Sequence, residues 1–284
     1  MRVHHLNCGT DCPVGGALFD GRSAGPLGHL VCHCLLIETD AHGLVLVDTG
    51  YGLLDVHHPH ARRHPRIPKT FRALLNIRVR EDDTAIRQIE ALGFRGADVR
   101  HIVLTHLDFD HAGGLEDFPH AAVHLLADEW EAARARPRGW IASQRYRFAQ
   151  FDEVGDWRRY PAGGGEPWFG FDAVRDLEGL PPELLLVPLP GHTWGHAGVA
   201  LDTGDGWLLH AGDAYFYRGE MRGAVSRCTP GLRAYQRMME VDRDRRLANA
   251  ERLRRLSVER RDELSVVCAH DAVELEAAQA GTPL

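Results

Sequence analysis

The densest group of residues that could do chemistry lies between Thr105 and His111, where two histidines and two aspartates form the pattern His-x-Asp-x-Asp-His. Further histidines and aspartates follow in Gly-His-Thr, Gly-Asp-Ala and Ala-His-Asp motifs farther along the chain. Imidazole nitrogens and carboxylate oxygens are ligands of Zn²⁺ and of divalent iron or manganese. The candidate metal ligands are His106, Asp108, Asp110, His111, His192, Asp213 and His270.

The spacing of these residues indicates two ions rather than one. In extended backbone His106 and Asp108 project to the same side. Asp110 and His111 lie past the turn that follows, where they can face a second ion. Six or seven such ligands exceed the needs of one tetrahedral ion and suit two ions about 3.5–4 Å apart. A single strand-end histidine is more often structural, but the whole set is hard to explain without metal.

Each candidate ligand follows an apolar run that predicts a β-strand. These runs cover residues 99–104, 184–187, 206–209 and 264–268. Functional groups are typically placed at strand ends that lead into short, glycine-containing loops. The remaining periodicity predicts strands at 3–6, 31–38, 44–47, 124–127 and 198–201, and helices at 83–94, from Asp128 and over 233–256.

Strands and helices alternate in two blocks, which favours one α/β domain over residues 1–284 with its sheets covered by helices. Two segments interrupt the pattern as predicted insertions, at about 51–82 and about 135–180. The first is rich in His, Arg and Pro, and the second carries many aromatic residues. The aromatic segment either packs as a hydrophobic cluster or forms a wall over the site, and the sequence leaves this open.

The composition is that of an ordinary globular protein, with 44% hydrophobic and 26% charged residues. A net charge of −7 disfavours a nucleic-acid partner. No apolar run approaches the roughly 18 residues that span a bilayer, so no membrane association is expected. The first residues show no export signal, and a cytoplasmic location is the expectation. The six cysteines form no Cys-x-x-Cys pair, so a zinc ribbon is unsupported.

The order and spacing of the motifs resemble the metallo-β-lactamase superfamily, whose hallmark His-x-His-x-Asp-His is followed by separate His, Asp and His ligands. The resemblance runs from Asp48-Thr49-Gly50 to His270 and implies an αββα sandwich with the metals at one edge. It implies that Asp48 supports the ligands from outside the metal shell. The implied ligands are His106 and His192 for the first ion, Asp110, His111 and His270 for the second, and Asp213 as the bridge.

One position departs from the family's pattern, because Asp108 stands where the hallmark has its second histidine. If Asp108 binds metal, the first position holds two histidines and a carboxylate. That set is more anionic and should favour iron or manganese relative to zinc, although zinc accepts it. The family's flavin-dependent diiron reductases carry Glu here, so a carboxylate is compatible with binding. Alternatively, Asp108 lies outside a depleted first position. We expect two divalent ions, zinc foremost, with iron or manganese as alternatives.

Hydrolysis is the expected reaction, because a metal-bridging hydroxide attacks carbonyl carbon at neutral pH. Asp110 could take the proton and pass it to the leaving group. Tyr215 or Tyr217, just after Asp213, could donate to the oxyanion, although core packing is the commoner role for each. Residues 107–114 are most similar to lactonase-like members of the family. The resemblance therefore implies a lactone or carboxylic ester as small-molecule substrate.

Other activities remain open at this point. Thioester hydrolysis of the glyoxalase II type would need basic residues to hold glutathione, and none can be located. An iron-dependent thiol- or persulfide-oxidising enzyme of the same fold would draw on Asp108. A non-catalytic scaffold is disfavoured by the nearly complete ligand set. A homodimer is compatible with the resemblance. His196 and His210 lie beside ligand motifs, and their role is open.

Overall fold

The computed structural model describes residues 1–58, 65–135, 139–171 and 175–282. Parts of the two predicted insertions lie outside the described residues, namely 59–64 in the first and 136–138 with 172–174 in the second. No helix in these described ranges is both long and apolar enough to cross a membrane.

Two β-sheets form the centre of the molecule. The first has seven strands in the order β4-β1-β2-β3-β5-β6-β7, and the second has five in the order β12-β11-β10-β9-β8. The first-sheet strands are β1 Arg2–Asp11, β2 Leu30–Glu38, β3 Leu44–Val47, β4 Ile77–Arg78, β5 Val99–Val103, β6 Ala122–Leu126 and β7 Trp157–Tyr160. The second-sheet strands are β8 Arg175–Asp176, β9 Leu184–Pro188, β10 Ala197–Asp202, β11 Trp207–His210 and β12 Leu264–Val267.

The α-helices of the described residues are mostly short. They are α1 Ala17–Asp20, α2 Leu53–His57, α3 Lys69–Leu74, α4 Ala85–Ala91, α5 Ala127–Arg134, α6 Ala142–Arg145, α7 Pro230–Met239, α8 Arg243–Glu259 and α9 Ala272–Gln279.

Alternation of apolar residues along the strands builds three core layers. In β2, Leu35 and Ile37 face the space between the sheets, where they meet second-sheet residues such as Val199. Leu36 faces the other way and packs with Ile89 of α4. The outer face of the second sheet is covered in the same manner by α8, whose apolar residues pack against β9, β11 and β12. Helices therefore cover both outer faces, and the expected αββα sandwich is confirmed.

The strands that were predicted to precede candidate ligands are all present. β3, β5 and β6 run parallel to one another in the first sheet, and β11 pairs parallel with β12 in the second. β5 leads into the His-x-Asp-x-Asp-His segment, while β9, β11 and β12 lead toward His192, Asp213 and His270. The fold thus delivers ligands from both sheets.

The helix predicted over 233–256 is interrupted. The structure has α7 and α8 instead, because the chain turns at Val241 and Asp242. The backbone N–H groups of these two residues both donate to the carbonyl of Gly191, at 2.9 and 3.0 Å. The Asp242 side chain then accepts from the N–H of Arg245 and begins α8. A tertiary contact to the His192 loop therefore overrides the helical periodicity.

The two predicted insertions contain regular structure that periodicity did not reveal, including α2, β4, α6 and β7. In the aromatic segment, Tyr146 and Phe151 pack into the first sheet's outer core. Trp168 and Phe171 pack into the outer core of the second sheet. For these four residues the hydrophobic-cluster interpretation applies, not that of a wall over the site.

Candidate metal centre

The loop after β5 is fixed by Asp48, which follows β3. Asp48 is fully buried and adopts a left-handed backbone with φ of 54°. Its Oδ1 accepts the N–H of Thr105 at 2.8 Å, and its Oδ2 accepts the Thr105 hydroxyl at 2.7 Å. The same Oδ2 accepts Nδ1–H of His111 at 2.8 Å. Asp48 thus holds the start of the loop and turns Nε2 of His111 inward, which is the supporting role that the resemblance implied.

All seven predicted ligands are buried, with exposed fractions from 0% for His106 to 8% for Asp110. Their ligand atoms form groups whose members lie within 4.8 Å of one another. One group joins Asp108 to two histidines, and another joins Asp213 to two histidines. The groups are His106 with Asp108 and His192, and His106 with His111 and Asp213.

Asp213 lies between the two halves of the cluster. Its Oδ2 is 3.3 Å from Nε2 of His192 and 3.7 Å from Nε2 of His106. Its Oδ1 is 3.3 Å from Nε2 of His111 and 3.1 Å from Nε2 of His270. One carboxylate oxygen therefore faces the first pair of histidines and the other faces the second pair, as a bridging ligand requires.

Residues around the cluster orient its ligands. His270 donates Nδ1–H to the Val31 carbonyl at 2.8 Å, so its Nε2 points into the cluster. His196 accepts the backbone N–H of Asp213 at its Nε2 and donates Nδ1–H to Leu189. His196 therefore positions the bridge, a role that the sequence left open.

His210 has a related role on the same loop. It donates Nε2–H to the His33 carbonyl at 2.7 Å. Its Nδ1 accepts the N–H of Gly212 at 3.4 Å. Gly212 has φ of 52°, and a Cβ there would lie 2.7 Å from Nε2 of His196. The turn before Asp213 therefore needs glycine.

Glu129 connects the loop that carries His106 to the loop that carries His192. No sequence motif indicated this residue. This fully buried residue of α5 accepts the N–H of Leu107 at Oε1 and the N–H of Gly195 at Oε2, at 3.0 and 3.1 Å. Its carboxylate thereby fixes the distance between the segment of His106 and the segment of His192.

The field inside the cluster favours positive charge. Burial opposes protonation of His270, yet Asp213 and Asp110 raise its pKa to about 9. Burial also disfavours the charged form of Asp213, but His270, His111 and His192 hold its pKa well below the usual range. Asp213 is therefore ionised, and the carboxylates around the histidines create a place that attracts a cation.

The donor set fits divalent metal ions. Nε2 of His106, Nε2 of His111 and Oδ1 of Asp213 are buried without a hydrogen-bond partner among the described residues. A buried polar atom without a partner raises the free energy of the folded state, and bound metal ions would give all three atoms a partner. Nitrogen and carboxylate donors in this number suit two ions.

Arg145 is the cation nearest to Asp108, and sequence reasoning missed it because α6 lies in the aromatic segment without any motif. Its Nε is 3.1 Å from Oδ1 of Asp108. Its terminal nitrogens donate to the carbonyls of His192 and Met239, each at 2.9 Å. The guanidinium is 1% exposed, so it belongs to the interior of the site.

Further polar residues lie on the side of the second metal position. The Sγ of Cys32 lies within 4.8 Å of ligand atoms of Asp110 and His270. Asp11 accepts the hydroxyl of Tyr51 at 3.3 Å. Burial, reinforced by Asp110, raises the pKa of Asp11 to about 7. These residues come from β1, β2 and the turn after β3, whose sequences carry no recognisable ligand spacing.

The two tyrosines expected to assist catalysis have other neighbours. Tyr215 donates its hydroxyl to Glu274, 2.9 Å from Oε2, and lies in the outer core of the second sheet. The hydroxyl of Tyr217 lies against Gly21. Phe216 between them is the aromatic that reaches the ligands, since its ring stacks on His270 at 4.9 Å between centroids. Alternation along this segment directs Tyr215 into the core.

Tyr235 of α7 is connected to the cluster through Phe216, whose ring stacks on His270. Its ring contacts Phe216, 5.8 Å between centroids. Burial, and then the field of nearby carboxylates, raises its pKa well above the usual range, which keeps the hydroxyl protonated. The carboxylates concerned are Asp110, Asp11, Asp213 and Asp108.

Comparison with known proteins agrees with this geometry. Residues 27–270 match the family model of the metallo-beta-lactamase superfamily. The chain is 41% identical over 276 residues to a probable metallo-hydrolase of Mycobacterium tuberculosis, covering 95% of this chain and 80% of that protein. It is 25% identical over 202 residues to an N-acyl homoserine lactonase of Bacillus cereus, covering 67% and 68% of the two chains.

Among solved structures, the fold is similar to a variant of AiiA from Bacillus thuringiensis with N-decanoyl-L-homoserine bound at its active site. The TM-score is 0.68 with 19% identity, over 97% of this chain and 95% of that chain. The matched family model covers most of the chain, from ahead of β2 to His270, and its range includes all seven predicted ligands. The chain therefore belongs to the metallo-β-lactamase superfamily, as a metal-dependent hydrolase.

Proposed function

We propose that this protein hydrolyses a lactone or a carboxylic ester with two divalent ions, zinc foremost. The observation that carries the proposal is the division of Asp213, with one oxygen toward His106 and His192 and the other toward His111 and His270. Similarity to a curated N-acyl homoserine lactonase favours a lactone over other hydrolysable substrates. Two ions held by these residues would supply a hydroxide nucleophile and would polarise a substrate carbonyl.

The protein's own groups would bind and protonate the substrate. Asp110 is the most exposed of the seven predicted ligands, at 8%. We assign Asp110 to proton transfer toward the leaving oxygen. We assign the donor of a hydrogen bond to an oxyanion to Tyr235, whose ring contacts Phe216 beside His270, in place of Tyr215 and Tyr217.

The proposal is tested by replacing Asp213, the predicted bridging ligand. Asp213→Ala should abolish turnover of a lactone and ester panel while circular dichroism shows a folded chain. Its metal content, measured by elemental mass spectrometry, should fall below that of the parent protein. Asp205→Ala, the same change at an exposed aspartate between β10 and β11, should retain both metal and turnover.

Two results would contradict the proposal. Unchanged turnover in Asp213→Ala would exclude the two-metal reaction. Oxygen consumption with a thiol substrate by iron-loaded protein, without lactone or ester turnover, would replace hydrolysis with the oxidising alternative.

A further inference from the structure

We propose that Arg145 is a positioning residue that neutralises Asp108, so that the first metal position carries the net charge of an all-histidine site although it contains a carboxylate. The inference rests on the two-metal centre proposed above. It concerns the departure of this chain from the family's hallmark, where Asp108 replaces a histidine.

The two oxygens of Asp108 have different neighbours. Oδ2 is 3.1 Å from Nε2 of His192 and 3.5 Å from Nε2 of His106, so it faces the place where a metal would bind. Oδ1 is 3.1 Å from Nε of Arg145. One oxygen is thus available to the ion while the other is paired with a permanent cation.

Burial strengthens the electrostatic interaction between Asp108 and Arg145. Asp108 is 2% exposed and the Arg145 guanidinium 1%, so water screens neither charge. An isolated buried carboxylate or guanidinium would be strongly disfavoured, whereas the pair has no net charge. With two neutral histidines, the first position then resembles three neutral ligands rather than an anionic set. More of the ions' positive charge remains for a substrate carbonyl.

Arg145 also ties the first position to the rest of the molecule. Its donations to the His192 and Met239 carbonyls join the ligand loop after β9 to the end of α7. This anchoring holds the guanidinium against Oδ1 of Asp108. Through Arg145 of α6, the aromatic segment therefore contributes a charge to the site.

A rival interpretation is that Arg145 replaces the first ion. Nη2 of Arg145 lies 3.5 Å from Nε2 of His192, close to where an ion on that nitrogen would sit. Under that interpretation the protein holds one ion, and removal of the arginine creates room for a second.

The experiment measures metal binding rather than turnover. Metal-free protein is titrated with Zn²⁺ against a competing chelator, and the number and affinity of bound ions are determined by elemental mass spectrometry. The matched variants are Arg145→Gln and Arg145→Lys. Both lose the planar guanidinium fork, but only the lysine retains a cation. A difference between them therefore reports charge and not lost packing.

We expect two zinc ions in the parent protein. The weaker-bound ion should bind at least about tenfold more tightly to Arg145→Gln than to Arg145→Lys, because a unit charge several ångströms away is strongly felt in a buried site. Adding Asp108→Asn to Arg145→Gln should abolish that gain. Asp108→Asn alone should lose the ion, since it leaves the buried arginine unpaired.

Equal affinities in the glutamine and lysine variants would overturn the proposal and leave Arg145 a packing residue. One ion in the parent protein but two in Arg145→Gln would overturn it in favour of the rival interpretation. Thermal unfolding of each metal-free variant, followed by circular dichroism, shows that the compared chains are folded. None of these measurements depends on turnover. The zinc affinities would therefore still test the role of Arg145 if the protein failed to hydrolyse lactones or esters.

Discussion

At the scale of single residues, the Tyr235 hydroxyl is distinguished by what surrounds it. Burial, and then the carboxylates of the metal centre, raise its pKa, so the hydroxyl stays protonated at neutral pH. Phe216 occupies the place directly beside His270 and can donate no hydrogen bond. We therefore assign the hydrogen bond to an oxyanion on this side of the site to Tyr235 of α7.

Tyr235→Phe should lower kcat by about 10²-fold or more, as removal of an oxyanion donor does elsewhere. KM and metal content should change little, since the ring and its packing are retained. The measurement is steady-state hydrolysis of the best lactone or ester found in the panel.

Tyr215→Phe is the matched control. It removes a hydroxyl that donates to Glu274 in the core, so it should cost about 1 kcal/mol of unfolding free energy and leave kcat unchanged. If Tyr215→Phe rather than Tyr235→Phe impaired kcat, the assignment of the donor would be reversed.

The clustering of the candidate metal ligands could be predicted at this scale because their types recur after strands at a recognisable spacing. The supporting role of Asp48 was implied by the resemblance to the metallo-β-lactamase superfamily. Sequence patterns could not predict the presence of Arg145, Glu129 and Cys32 at the site. Each comes from a different element, and only the packing of α5, α6 and β2 against the ligand loops brings them to the site.

At the scale of elements, β5 and β6 place two histidines side by side, with His124 buried and His101 partly buried. Nδ1 of His101 is 3.0 Å from Nε2 of His124, whose Nδ1 is 2.8 Å from the Tyr160 hydroxyl. Burial lowers the pKa of His124 to about 3, and repulsion from His101 and Arg158 adds to the effect. An unfolded histidine titrates near 6.5, so the unfolded chain binds more protons between these values. The stability present above pH 6.5 is therefore lost as the pH falls toward 3.

His124→Gln should reduce this acid sensitivity. The free energy of unfolding in urea should fall less steeply between pH 6.5 and pH 4 than in the parent protein, by up to about 1.4 kcal/mol per pH unit. His120→Gln, at an exposed histidine just before β6, should retain the parent slope. Parallel slopes for all three proteins would show that His124 is not a source of acid instability.

Element boundaries were predictable where apolar periodicity acted alone. The strands at 31–38 and 44–47 were predicted close to their observed limits, because both faces of β2 and β3 are buried. The division between α7 and α8 was not predictable. It depends on the Gly191 carbonyl, which lies far away in sequence and captures two backbone donors.

At the scale of the whole molecule, the metal centre joins the two sheets. The segment after β5 supplies ligands from the first sheet, whereas His192, Asp213 and His270 follow strands of the second. Ions bound to both sets oppose separation of the sheets, and ligands that bind only the folded state stabilise it by mass action.

Removal of metal should therefore destabilise the entire fold. Chelator-treated protein should unfold at a lower temperature than protein with zinc at about 1,000 times its dissociation constant, which corresponds to about 4 kcal/mol per site. Restoring zinc should restore the melting temperature, as measured by calorimetry. In Asp213→Ala the difference in melting temperature between zinc-loaded and chelator-treated protein should be small. If zinc raised the melting temperature of this variant as much as that of the parent protein, the stabilising ions would bind at another site.

The αββα architecture was implied by the resemblance of the motifs to the metallo-β-lactamase superfamily, whereas the alternation of strands and helices predicted one α/β domain with its sheets covered by helices. The participation of the aromatic segment could not be predicted, because β7 extends the first sheet through side-by-side pairing with β6 that leaves no periodic signal. Long-range pairing of this kind depends on the assembled sheet rather than on local sequence.

The position of β12 bears on how the molecule assembles. β12 pairs parallel with β11 only after the chain has passed through α7 and α8, and such crossover pairings form slowly because a long loop must close first. His270 follows directly and lies more than half the chain length away from His106. During refolding, the second ion position therefore remains incomplete until this last strand docks. Tight metal binding would therefore begin only when β12 docks, which would be the final step of refolding.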